Sequence, residues 1–158
     1  MPFLRRVFLV SLLLGLYPLG VYAITPQVRV YRQINIARRA HARPALVLST
    51  RLSKVAQQRA QLMANSGVVA HAIPGQPSTW EMVKATRYTY TRGGEVIGVN
   101  YSDPKKLIRA WELSTGHRTI LYSPKYNQVG VGQVYVKNNK KVMIITVAIF
   151  AFHPKNTP

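Results

Sequence analysis

The chain has 158 residues, of which 47% are hydrophobic, and it contains no cysteine. The length predicts one domain with a single core, and the composition excludes disulfide scaffolds, thiolate metal centres and cysteine nucleophiles. Lysine and arginine number 22 against only 4 acidic residues, which gives a formal net charge of +18. A field of this sign attracts polyanions, so the candidate partners are anionic cell-envelope polymers, nucleic acid and acidic lipids. A basic surface without a dedicated partner is the alternative.

Residues 1–23 have the pattern of a secretory signal peptide. Arg5 and Arg6 precede a short apolar run, and Val21-Tyr22-Ala23 is a candidate cleavage signal. We therefore expect a secreted or periplasmic protein with its domain at residues 24–153, a polar tail at 154–158, and no stable membrane span after cleavage. An uncleaved N-terminal anchor is the alternative, although Pro18 interrupts the apolar run.

Helical periodicity and capping residues predict four helices before residue 115. The first spans about residues 26–42, with Val30, Ile34, Ala37 and His41 on its buried face and most arginines elsewhere. The other three are a helix from Ser49 or Thr50 to Asn65-Ser66-Gly67, a short helix at 78–86, and a helix starting at Asp103-Pro104.

The last third of the chain changes to a period of two residues. Apolar residues alternate from Val129 to Val134, a polar turn follows at 137–140, and residues 142–152 form a long β-branched run. This pattern predicts a β-hairpin. Helices followed by an antiparallel sheet indicate an α+β fold in which helices cover the sheet.

Three side chains are the main candidates for chemistry. His71 lies in a loop after the second helix, Glu95 follows Gly94 in a short strand, and His117 lies at the end of the fourth helix. A carboxylate in such a strand should have a polar or charged partner, because an unpaired buried charge is costly. Taken singly, each residue also has a structural explanation as a capping histidine, a hydrogen-bonded glutamate and a surface histidine.

The order of these segments resembles the CAP superfamily, or SCP-like domain, in its cysteine-free bacterial form. Trp111, Ser114, Gly116-His117-Arg118, Pro124 and Val129-Gly130-Val131-Gly132 occur in family order, and the resemblance extends over about residues 30–151. The resemblance implies a three-layer α-β-α sandwich with a central, mainly antiparallel sheet. It also implies a cleft where His71, Glu95 and His117 converge, with Ser114 at the position of the family's second glutamate.

Two chemical interpretations of this cleft remain open. Two imidazoles and one carboxylate are a candidate divalent-metal site, with zinc favoured by the imidazoles. The same three groups can instead form a hydrogen-bonded polar cluster without metal. We expect an exported CAP-like binding module with a His/Glu cleft, interacting with anionic envelope or extracellular partners, rather than an enzyme. The alternatives are a metal-assisted hydrolase of a polyanion or cell-wall substrate, and a lipid-binding protein.

Overall fold

The computed structural model of the chain describes residues 25–138 and 141–154. The predicted signal peptide at residues 1–23 and almost all of the predicted tail at 154–158 lie outside these ranges. Among the described residues, no helix combines the length and apolar character that a membrane crossing requires.

The described residues form five helices and four strands. Their order is α1 (Pro26–Ala40), β1 (Val47–Leu48), α2 (Thr50–Ser66), α3 (Thr79–Ala85), β2 (Arg92–Val99), α4 (Pro104–Leu113), α5 (Thr115–Leu121), β3 (Gln128–Asn138) and β4 (Lys141–Phe152). Helix starts coincide with side-chain caps from Thr25, Ser49, Ser78 and Asp103. Gly67 ends α2 in the left-handed conformation that glycine tolerates. The predicted hairpin of β3 and β4 is confirmed.

The sheet lies between two helical layers. Its strand order is β1-β3-β4-β2, with β1 parallel to β3 and the other neighbours antiparallel. One apolar cluster joins α1, α4 and α5 to one face of the sheet, and a second joins α2 and α3 to the other face. The predicted α+β sandwich with a mainly antiparallel sheet is therefore confirmed.

Two sequence predictions about the first and last helices were wrong. His117 lies within a separate helix, α5, because Ser114 takes an extended conformation that ends α4. On α1, Arg38 is buried and His41 is exposed. The Arg38 guanidinium donates to the carbonyls of Leu121 at 2.6 Å and Ser123 at 3.1 Å, so it ties α1 to the end of α5.

The contact between α2 and β3 depends on two glycines. A Cβ atom at Gly130 or Gly132 would approach the backbone of α2 to less than 3.0 Å, which real side chains do not tolerate. Side chains of the same helix also form hydrogen bonds with backbone groups at the edge of β3. Ser53 Oγ accepts from Val131 N at 3.3 Å, and Gln57 bonds both backbone groups of Gln133. Helix α2 therefore covers one face of β3 and also part of its free edge.

Replacement of Gly132 by alanine tests this close approach. We expect Gly132→Ala to lower the free energy of unfolding by about 1–3 kcal/mol or more, because backbone on both sides resists displacement. Urea unfolding measures the change. The matched control is Gly116→Ala in α5, where a new Cβ meets nothing within 4 Å. Alanine there should be neutral or stabilising by up to about 1 kcal/mol. Similar losses in both variants would contradict the packing argument.

Candidate functional site

Glu95 is the centre of a buried polar cluster on β2. Its Oε1 is 2.7 Å from His71 Nδ1, and its Oε2 accepts from Thr79 Oγ1 at 2.5 Å. The same Oε2 lies 3.5 Å from Nε of Arg59. The sequence predicted that this carboxylate would have partners, and the structure provides three.

Arg59 was missed by the sequence analysis although it carries the charge opposite Glu95. Its side chain is fully buried on α2. The guanidinium also donates to the carbonyls of Pro77, Ala70 and His71 at 3.3, 3.3 and 3.1 Å. The arginine therefore holds the loop that carries His71 against α2. Its position between Ala56 and Met63 on the apolar stripe of the helix was the available signal.

The two histidines lie side by side. The ring centres of His71 and His117 are 6.3 Å apart, and the ring planes are tilted by 59°. The His71 side chain is 58% exposed, and its Nδ1 is engaged by Glu95. The pKa of His117 is lowered from its ordinary value of 6.5, first by burial and second by the nearby His71. His117 is therefore a neutral imidazole at neutral pH.

The structure brings His71, Glu95 and His117 together. Ser114 lies at the junction of α4 and α5, where its carbonyl accepts from Arg118 N at 2.8 Å. Glu112 lies in another cluster, accepting from the Tyr122 hydroxyl and, at 3.3 Å, from Arg109. Burial and then the hydrogen bond to Glu112 raise the pKa of Tyr122.

A cleft of about 360 Å³ opens beside the Glu95 cluster. It is lined by His71, Ser78, Thr79, Trp80, Gly93, Gly94 and Glu95. Neither Ser114 nor His117 is among these lining residues. The outer edge of the Trp80 ring lies against Gly93, so a Cβ atom at Gly93 would clash with it. The ring centres of Trp80 and Tyr90 are 5.4 Å apart. Trp80 gives the cleft an aromatic wall that the sequence analysis did not predict.

The contacts of Glu95 bear on the predicted metal set of His71, Glu95 and His117. Within the described ranges, no three His, Asp or Glu side chains are placed to hold a metal ion. Both oxygens of Glu95 are already engaged, and the His71 contact of 2.7 Å is a direct hydrogen bond. Two imidazoles on one tetrahedral zinc, each bonded at about 2.0–2.1 Å, would place their ring centres about 5 Å apart. The ring centres of His71 and His117 are 6.3 Å apart. Metal binding by the two imidazoles alone stays a prediction.

Comparison with known proteins identifies the family. Residues 31–150 match the CAP family, described as the cysteine-rich secretory protein family. The match covers most of the chain, so this protein belongs to the CAP family although it contains no cysteine. The resemblance drawn from the sequence is confirmed.

Three of the relatives are bacterial and distant in sequence. The uncharacterized protein YkwD of Bacillus subtilis is 29% identical over 106 residues, covering 67% of this chain and 41% of the relative. An extracellular SCP-domain protein of Bacillus anthracis is 23% identical with a TM-score of 0.71, covering 80% of this chain and 40% of that protein. An outer surface protein of Borrelia burgdorferi is 18% identical with a TM-score of 0.68, covering 79% of this chain and 90% of that one. The chain thus spans about two fifths of the first two relatives, and the two structures support the fold alone.

Glu95→Gln tests the electrostatic role of the buried cluster. The substitution keeps the shape of the side chain but leaves the Arg59 charge uncompensated, so we expect a loss of about 3–5 kcal/mol in the free energy of unfolding. Adding Arg59→Met should recover part of that loss. The control is Glu81→Gln, because glutamine also completes the capping box that Glu81 forms with Ser78. Equal stability of Glu95→Gln and Glu81→Gln would contradict a buried charge pair.

The pKa of His117 gives a second test. Proton NMR should show His117 titrating below pH 6.5, and His71→Ala should move its pKa upward by removing the neighbouring charge. A lowered pKa means that the unfolded state binds the proton more tightly. The contribution of His117 to stability is therefore full above pH 6.5 and is lost as the pH falls through the folded-state pKa. If His117 of the unmodified protein titrates at or above pH 6.5, its ring is not half-buried beside His71 as the structure shows.

Proposed function

We propose that this CAP-family chain is an exported binding module for anionic polymers of the cell envelope or the extracellular space. The observation that carries this proposal is that the chain has only four acidic side chains, and each of them already makes an intramolecular contact. Glu81 caps α3, Asp103 caps α4, Glu95 binds the buried cluster, and Glu112 binds Tyr122 and Arg109.

With 22 lysines and arginines against 4 acidic residues, most of the basic side chains have no acidic partner. In the part of the chain that the structure describes, ion pairs involve only Arg59, Arg109 and His71 as the basic partners. Most other lysines and arginines there are exposed, with the buried Arg38 as an exception. A surface of this kind attracts polyanions and binds them with release of counterions.

Export is supported by two independent observations. Arg5, Arg6 and the apolar run before Ala23 have the pattern of a signal peptide. The Bacillus anthracis relative is described as extracellular, and the Borrelia burgdorferi one as an outer surface protein. Intact mass of the processed protein should show a chain that begins at Ile24.

The chemistry of the cleft favours binding over catalysis. A general base must be free to accept a proton from the substrate. Glu95 has both oxygens engaged and lies beside the buried Arg59, so it is poorly suited to that role. Ser114 replaces the second acid that the family resemblance places near His117. The exposed His71 and the half-buried Trp80 are the cleft residues that we expect to contact a partner.

A metal-assisted hydrolase is the second candidate, and the adjacent imidazoles of His71 and His117 are the observation that favours it. These two side chains would hold the ion, and a bound zinc would supply an activated water. Metal analysis of the purified protein with and without His71→Ala tests this candidate. Absence of zinc binding by the unmodified protein would eliminate it.

A lipid-binding role is the third candidate. A groove of about 410 Å³ lies between the starts of α1 and α2, and Val28, Leu48 and Val131 are its apolar lining. Displacement of a fluorescent fatty acid measures such binding. A hydrophilic substitution, Val28→Ser, should weaken it if this groove holds the lipid.

Salt dependence tests the main proposal. Binding of the purified protein to inorganic polyphosphate should weaken steeply between 50 and about 200 mM salt, because each neutralised phosphate releases counterions. Several simultaneous contacts predict a slope of log affinity against log salt of about −3 or steeper. Fluorescence anisotropy with a labelled polymer gives this slope. Undetectable or salt-independent binding would overturn the proposal.

A further inference from the structure

We infer that the solvent face of α1 is the surface that binds the anionic partner, and that this partner is a linear polymer of small polyols joined by phosphodiesters. The inference rests on the proposed function and adds to it a location and a ligand chemistry.

The solvent face of α1 carries a row of unpaired guanidinium groups. Arg29, Arg32 and Arg39 are exposed, and their spacing places them within one side of the helix. At a rise of about 1.5 Å per residue, the row is about 15 Å long. Over the described ranges, none of the three side chains takes part in a salt bridge or a side-chain hydrogen bond, so all three are available to a ligand.

The other long helix offers a useful contrast. Near its start α2 exposes two cations, Arg51 and Lys54. Its exposed positions further along, Gln58, Gln61 and Asn65, are uncharged, and Gln61 and Asn65 bond each other at 2.7 Å. The first acidic residue in the sequence is Glu81, so neither α1 nor the loop after it contains a carboxylate. In the same helical layer, Lys105 and Lys106 at the start of α4 are also exposed. Positive charge is therefore denser on the α1 side of the sheet than on the α2 helix.

The type of cation points to phosphate. Guanidinium groups bind phosphate through two parallel hydrogen bonds, which a lysine ammonium cannot reproduce. A row about 15 Å long can engage two or three successive phosphates of one chain. A single small anion would use only one of the arginines, so the arrangement favours a linear polyanion.

The rest of the helix surface argues against a membrane and against nucleic acid. The apolar face of α1, including Val30 and Ile34, is buried in the core, so the helix has only Ile36 to insert into a bilayer. Single-stranded nucleic acids are held by aromatic side chains that stack on the bases. Tyr31 is half-buried and its hydroxyl donates to the carbonyl of Leu46 at 3.1 Å. With no exposed aromatic residue on α1, a polymer without bases is the better match.

The experiment compares two triple variants of the purified protein. Arg29→Gln, Arg32→Gln and Arg39→Gln are combined in one variant, and Arg51→Gln, Lys84→Gln and Arg87→Gln in a charge-matched control. The control residues lie on α2, on α3 and directly after α3, on the other side of the sheet. The probe is fluorescently labelled poly(glycerol phosphate). We expect the α1 variant to lose about 10- to 100-fold in affinity and its salt slope to fall by about 2–3, since each lost phosphate contact removes about one unit. The control should lose less than about threefold.

The possible outcomes separate this inference from the proposed function. If the unmodified protein binds neither poly(glycerol phosphate) nor polyphosphate, the proposed function fails together with the inference. If it binds and both triple variants lose affinity equally, the α1 location is wrong although polyanion binding stands. If single-stranded DNA or phosphatidylglycerol vesicles bind more tightly than poly(glycerol phosphate) at equal phosphate concentration, the polyol assignment is overturned. Unchanged thermal unfolding of both variants shows that they remain folded.

Discussion

The close approach of α2 to β3 determines where the polar groups of this domain lie. Gly130 and Gly132 allow the helix backbone to rest on the strand. Glu95, Ile149 and Gly130 form one row across the sheet, so the carboxylate lies on the face that α2 covers. The helix thereby places the Arg59 side chain in contact with Glu95 and with the loop that carries His71. A wider separation between helix and sheet would move the arginine away from both.

The buried pair makes Glu95 a structural residue as much as a site residue. Burial of Arg59 carries a large desolvation cost, which is offset by one carboxylate and three loop carbonyls. Loss of Glu95 would therefore disturb the fold and the loop at once. Its substitution cannot isolate a contribution to binding. The exposed His71 is the better choice for that purpose, because its ring contributes to the cleft without supporting the core.

Local signals predicted much of the fold, and nonlocal contacts account for what was missed. Ser49, Ser78 and the Asp103-Pro104 pair each mark a helix start, because capping depends on neighbouring residues alone. The order of the family motifs predicted that the two histidines and Glu95 lie close together. By contrast, burial of Arg38 depends on carbonyls 83 and 85 residues away, and no local pattern indicates that they converge on it. The break at Ser114 was missed because Leu113 and its neighbours continue a helical pattern.

Two buried arginines connect separate segments of this cysteine-free domain. The chain belongs to a family described as cysteine-rich and itself contains no cysteine. Arg38 joins α1 to the carbonyls at the end of α5, and Arg59 joins α2 to the loop before α3. Each guanidinium has several donors in a rigid plane, which lets one side chain fix two or more separate backbone segments. Such restraints act only in the folded state, whereas a disulfide also restricts the unfolded chain. Both arginines are buried, so these connections depend on the packing around them.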